Sequence, residues 1–324
     1  MKTRCQAVGF TIVELLVCIA IVALLIAILI PAIQRVREAA NKLNCASNMR
    51  QLVIAVHNYE SQFKRLPYGQ IGPTGPSQPQ PPPGQPYFGW GPTSKGWSWL
   101  VRILPFIEQD SLYVKGDVGS KTLEDSGICA MRIQSFLCPS DSAYYANARN
   151  NTGDLQGLNV GNTCYKGVSG SNWGWDGTQV RFFPTFHKKK GANGSYDGLN
   201  LGDGVFWRTD YQYRRRLTCI KDGLSNTFMI GEDTPEKNLW CSWPYASHAY
   251  GTCAIPPNYN HYPGGFDINP QDWSNNHSFR SSHPGGLQFG MADGSVRFIQ
   301  NNISIEIYRA LATISGHEPI AIPD

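Results

Sequence analysis

From Leu15 to Ile33 the chain runs nineteen residues without a charge. At about 1.5 Å per helical residue this covers roughly the 30 Å hydrocarbon core of a bilayer, so the run predicts a membrane span. A secretory signal peptide carries its apolar region ahead of the cleavage site and loses it. Here the plausible processing point, Gly9-Phe10, precedes the run, so the span stays with the mature chain. Glu14 sits at its edge, where a carboxylate reaches the headgroups more cheaply than at the bilayer centre. It is either an interfacial residue of no consequence or a group awaiting a partner.

Beyond the span, Ile33, Val36, Ala40, Leu43, Leu52, Val56 and Tyr59 recur at helical spacing. Arg35, Arg37, Lys42 and Arg50 lie mostly off that stripe. The pattern predicts an amphipathic continuation of the same helix over 34–66, ended at Leu66-Pro67 and packed on a globular domain. Residues 67–92 are rich in Pro, Gly and Gln and predict a loop or linker.

Residues 97–113 read as a short apolar helix containing Pro105, and FLCPSD (136–141) as a strand end entering a turn. Residues 142–200 are dense in turn formers and aromatics and predict long loops. GVFWR (204–208), LTCI (217–220) and FMIGE (228–232) read as strands, with a turn at Asp222-Gly223. In LQFGMADGSVRFI (287–299), Asp293-Gly294 is a type I′ turn signal between two apolar runs. A two-residue loop there pairs Met291 with Val296 and Phe289 with Phe298, which places all four on one face. Residues 301–315 close the chain as a helix. The expected fold is α+β: a long N-terminal helix on an antiparallel, β-rich domain over 93–324.

Composition narrows the function. The formal charge of +4 falls to +2 when Lys2 and Arg4 leave with a leader of residues 1–9, too small for a nucleic-acid footprint. Of nine cysteines, seven lie outside leader and span: Cys45, Cys129, Cys138, Cys164, Cys219, Cys241 and Cys253. No CxxC pair and no Cys/His cluster of zinc spacing occurs. An extracytoplasmic domain permits disulfides. Connectivity is not readable from sequence; Cys241–Cys253, with a short loop of several turn formers between them, is the expected pair, and buried free thiols are the alternative.

The basic leader, Gly9, Phe10 and Glu14, fifth when Phe10 is counted first, resemble the processing signal of type IV pilins and pseudopilins. The resemblance implies a prepilin peptidase that cuts after Gly9 and methylates the amine of Phe10. It implies that Glu14 pairs with the amine of an adjacent subunit during assembly, and that Pro31 bends the helix. It places the N-terminus in the cytoplasm. The distribution of Lys2 and Arg4 before the span, with Arg35, Arg37 and Lys42 after it, does not by itself give that orientation. A wider resemblance rests on CPSD, IKDGLSNTFMIGE and SSHPGGLQFGMADGSVRFI. These are similar to a large family of unknown function found mainly in planctomycetes, with a prepilin-type N-terminus and a His-X9-Asp-Gly motif, here His283, Asp293 and Gly294.

Catalytic signatures are missing: no GxSxG, HExxH, P-loop or strand-linked GxGxxG occurs. His283 and Asp293 suggest either a dyad or metal site, or two residues fixing a hairpin, and the hairpin is the expectation. Calcium at Asp222 or Asp293 is a weaker candidate, the spacing being no EF-hand; no other cofactor is expected. Lys188-Lys189-Lys190 reads as a solvated loop. Two functional classes follow. One is a structural pilin-like subunit of a secretion or pilus assembly, working in the inner membrane with the peptidase and with other subunits or itself. The other is a membrane-anchored binding protein that offers Trp173, Trp175, Trp207, Trp240 and Trp243 to a sugar or other ligand. An enzyme is not expected.

Overall fold

The computed structural model describes residues 11–71, 88–141, 148–155, 157–174, 190–193, 195, 197–261, 267, 269–272 and 276–316. Gly9, Phe10, Trp175, Lys188, Lys189 and most of the Pro-rich stretch fall outside them. The chain divides into two compact units, Met1–Leu43 and Asn44–Asp324.

The first unit contains the start of helix α1 (Ile12–Phe63), which holds Pro31 within it. The helix is long and apolar enough to cross a membrane. Every side chain from Ile12 to Arg37 is exposed, including Ile12, Leu24, Ile28 and Ile33.

In the second unit α1 becomes a core helix. Its buried positions are Cys45, Met49, Leu52, Val53, Ala55, Val56, Tyr59 and Glu60. These recur at three- and four-residue steps, so one face of the helix is covered. The stripe is therefore split: Ile33, Val36 and Leu43 are exposed, while Leu52, Val56 and Tyr59 are buried. The unit boundary lies inside the stretch 34–66, so residues from Asn44 onward belong with the domain.

The sheet has five strands: β1 (Tyr165–Val168), β2 (Phe228–Glu232), β3 (Tyr250–Gly251), β4 (Gly286–Met291) and β5 (Val296–Gln300). Their order is β3-β1-β2-β4-β5. All neighbours are antiparallel except β1 and β3, so the sheet is mixed, where a wholly antiparallel one was expected. Its two faces are both covered. The odd positions of β4, Leu287, Phe289 and Met291, join Phe228, Phe279, Ile299 and Tyr308 in one apolar cluster. The rings of Phe228 and Phe289 stack with centroids 4.0 Å apart. Tyr308 comes from the closing helix, which spans Ile305–Ala310. The opposite face lies under α1: a Cβ on Gly290 would stand 2.8 Å from Val53 Cγ2 and 3.0 Å from Met49 Cγ. Glycine lets helix and strand approach at that point.

Much of the rest is turn and 3-10 structure. Residues 204–208 form no strand, and Leu217–Cys219 is a 3-10 turn. Both read as strands because they are apolar, but neither pairs into the sheet: 204–208 is buried among loops, and Leu217–Cys219 is half-buried or exposed. The apolar stretch 97–113 breaks into helix α2 (Trp99–Arg102), a 3-10 turn Leu104–Ile107 and the start of helix α3 (Asp110–Gly116). Pro105 stands at the beginning of the 3-10 turn, where its missing N–H costs nothing.

The β4–β5 hairpin is present but slipped by one residue from its expected register. Gly290 opposes Val296 and Phe289 opposes Arg297. Met291 N–H donates to Ser295 O at 2.8 Å, and Gly294 N–H to Met291 O at 3.0 Å. The loop thus holds three residues, Ala292–Gly294. Gly294 has φ +94°, while Asp293 is not among the residues with positive φ, which excludes type I′. A type I turn followed by a left-handed glycine gives this three-residue loop. The one-residue slip exchanges faces: Phe298 opposes Gln288, away from Phe289.

Candidate functional site

His283 and Asp293 occupy opposite ends of β4. Six strand residues at about 3.3 Å each put roughly 20 Å between those ends, so the two side chains form no dyad. Asp293 fixes the turn: its Oδ1 accepts from Ser295 N–H at 2.8 Å and from Ser295 Oγ at 2.7 Å. The turn is held from outside as well. Ala292 N–H donates to Thr227 O at 2.8 Å, and His57 Nε2 lies 2.8 Å from Ala292 O.

His283 is buried, in a polar centre enclosed by the domain. Its Nε2 lies 3.5 Å from Cys138 Sγ and 3.5 Å from Glu232 Oε1. Glu232 closes β2 and is buried; its Oε2 accepts from Gln288 N–H at 2.8 Å, while its buried Oε1 has no hydrogen bond. The next residue, Asp233, pairs with buried Lys166 of β1 at 2.8 Å and lies 3.7 Å from Arg280. Arg149 ties the neighbouring loop together by donating to the carbonyls of Pro235, Asn238, Leu239 and Cys241.

Cys45 of α1 and Cys138 form a disulfide at the edge of this centre, with Cα atoms 5.3 Å apart. The bridge expected at Cys241–Cys253 does not form, and both residues are buried free thiols. The segment between them is no simple turn: it contains the 3-10 turn Ala246–His248 and strand β3. Pairing of β3 with β1 carries Cys253 into the cluster with Phe228 and Tyr308, while Cys241 Sγ donates to Asp233 Oδ2 at 3.2 Å. Burial, first, and then the Asp233 carboxylate push the Cys241 thiol far above its usual range. Cys138, Glu232 and His283 each lie in a local motif, but nothing in those motifs joins them to one another or to Cys45. The signal for Cys45 was the spacing Cys45-Met49-Leu52-Val56-Tyr59, which puts a cysteine on the buried stripe.

The two calcium candidates find protein partners instead. Asp222 Oδ2 accepts from Thr313 Oγ1 at 3.1 Å and from Gly316 N–H at 2.8 Å. Trp173, Trp207, Trp240 and Trp243 are all buried, so their faces are not offered to a sugar.

In the first unit, Thr11 and Glu14 form a reciprocal pair at the start of α1. Glu14 Oε2 accepts from Thr11 N–H at 2.9 Å, and Thr11 Oγ1 accepts from Glu14 N–H at 3.3 Å. This is a capping box, which satisfies two helix-end donors that would otherwise lack partners. The sequence carries it as Thr-X-X-Glu ahead of an apolar run.

Part of the chain is similar to the competence protein ComGC of Halalkalibacterium halodurans, with 32% identity over 59 residues. The match covers 18% of this chain and 58% of that protein's length. No solved structure matches the chain significantly. Over 34–306, which takes in the core half of α1, the whole sheet and the His283 centre, the sequence fits a single family model, and the chain belongs to that family, DUF1559, proteins of unknown function.

Proposed function

We propose that the chain is a pilin-like structural subunit of a membrane-associated assembly of the type II secretion or type IV pilus kind, with no turnover of its own. One observation carries this reading. A single helix presents exposed apolar side chains over 12–33 and then a buried stripe from Cys45 into the domain. So much apolar surface requires lipid or the matching helices of neighbouring copies. The similarity to a competence protein of the ComGC kind points the same way. In this reading the leader is removed after Gly9 by a prepilin peptidase, Phe10 becomes an N-methylated terminus, and the domain faces away from the cytoplasm.

Glu14 then has two roles to be separated: capping α1, and pairing with the amine of an adjacent subunit. Glutamine preserves the cap acceptor and removes the charge. Glu14→Gln should insert in membranes as wild type does while its crosslinked multimers fall. Intact-mass analysis should find a mature chain beginning at methylated Phe10. A chain beginning at Met1, or equal multimer yield from Glu14→Gln, sinks the reading.

A further inference from the structure

We infer that Cys45, Cys138, Glu232 and His283 form a zinc site when the two cysteines are dithiol, so that one buried junction has two alternative cross-links, a disulfide or a metal ion. The ligand atoms of these four buried residues all lie within 4.8 Å of one another. A tetrahedral zinc with Zn–S of about 2.3 Å and Zn–N or Zn–O of about 2.0–2.1 Å holds sulfur and nitrogen roughly 3.5 Å apart, and nitrogen and oxygen roughly 3.4 Å apart. The structure gives 3.5 Å for Cys138 Sγ to His283 Nε2 and 3.5 Å for His283 Nε2 to Glu232 Oε1. His283 Nε2 therefore already stands at ligand separation from both Cys138 Sγ and Glu232 Oε1. The two sulfurs must part to about 3.8 Å for the ion to enter between them.

Charge supports the same conclusion. Around the junction are three buried carboxylates, Asp141, Glu232 and Asp233, two buried cations, Lys166 and Arg280, and the half-buried cation Arg149. With the disulfide closed and His283 neutral these sum to zero. Two thiolates and a divalent zinc also sum to zero, so exchanging one cross-link for the other leaves the buried charge unchanged. Bare thiolates would add two uncompensated negative charges to a dry interior, which is strongly disfavoured. Glu232 Oε1 fits the part of ligand: it is buried beside His283 and makes no hydrogen bond. Its partner oxygen is anchored by Gln288 N–H, which orients the carboxylate. Two thiolates, an imidazole and a carboxylate suit zinc and disfavour calcium or magnesium. On binding, zinc displaces the two thiol protons to solvent.

The test uses the full chain in detergent, prepared in parallel as disulfide and as dithiol. A phosphine reductant produces the second form: the phosphine takes the oxygen of one water to become its oxide, and the sulfurs receive that water's two protons. After incubation with zinc chloride and exhaustive dialysis, the reduced chain should retain one zinc per chain and the oxidised chain none. Cobalt(II) in place of zinc should give a thiolate charge-transfer band and tetrahedral visible bands in the unmutated protein, a readout that needs no variant to fold. Six further thiols are free among the described residues. The site is therefore assigned by Cys45→Ser with Cys138→Ser, which should abolish retention, and by His283→Gln, which should weaken affinity at least about tenfold. A reduced wild-type chain without bound zinc overturns the proposal. So does zinc retained equally by the variants, or octahedral cobalt spectra.

Discussion

His283 and Asp293 are joined by a strand and separated by its full length. The motif they define marks the two ends of β4, a buried polar centre at one end and a three-residue turn at the other. Gly294, at φ +94°, carries the turn. A Cβ there meets nothing within 4 Å, so the cost of a side chain is conformational. Gly294→Val should destabilise the domain by about 1–3 kcal/mol, read from thermal melts. Asp293→Ala removes two short bonds to Ser295 and should cost about 1 kcal/mol. Melts unchanged by both substitutions would refute the turn's role.

The Cys45–Cys138 bridge spans 93 residues of sequence. Constraining so long a loop in the unfolded chain should stabilise the domain by about 2–5 kcal/mol. Cys138→Ser, measured without reductant or metal, should lower the melting temperature accordingly. Cys253→Ser should not reproduce a disulfide loss, and peptide mapping should find Cys253 as a free thiol.

Asp210 gives a pH dependence of defined sign. Burial raises its carboxyl to about 7, against the opposing pull of Arg215 and the N–H groups of Gly69 and Trp207. The folded state therefore keeps a proton that the unfolded state releases. This contribution is full below the ordinary carboxylate range near 4 and is lost as pH rises toward 7. It amounts to something on the order of 4 kcal/mol. His248 and His277 act oppositely: burial holds both well below their ordinary value, and their contribution is lost as pH falls below about 6.5. The measurement is accordingly the difference between wild type and Asp210→Asn. Denaturant unfolding should show the stability of wild type minus that of Asp210→Asn falling by about 4 kcal/mol from pH 4 to pH 7. A constant gap would exclude Asp210.

Thr11→Ala should fray the start of α1 by about 0.5–2 kcal/mol. Amide exchange at residues 12–15 should accelerate in this variant and remain near wild type in Glu14→Gln. Faster exchange in Glu14→Gln alone would mean that charge, and not the reciprocal cap, holds the helix start.

How much of this was legible depends on whether the signal was local. The apolar run, FMIGE and the β4–β5 pair are local patterns, and each appears where the pattern puts it. The one-residue slip at Asp293-Gly294 was not legible, because a left-handed glycine closes both the two-residue and the three-residue loop. The choice falls to tertiary contact: the observed register sets Ile299 opposite Leu287, in the apolar cluster with Phe289 and Tyr308. GVFWR and LTCI carry strand composition without a partner edge. The pairing of Cys45 with Cys138, and their meeting with Glu232 and His283, joins four distant segments, and no spacing rule reaches across them.

Cys45 stands two residues beyond the boundary at Leu43, on the helix that enters the domain. Tension applied along α1 from its apolar end therefore meets a covalent fastening almost at once. Side-chain packing of a helix yields turn by turn when it is pulled away like adhesive tape, but such peeling stops where a bond must break. The clip at Cys45 confines mechanical unravelling to the first unit and leaves the helix from Met49 onward shielded from traction.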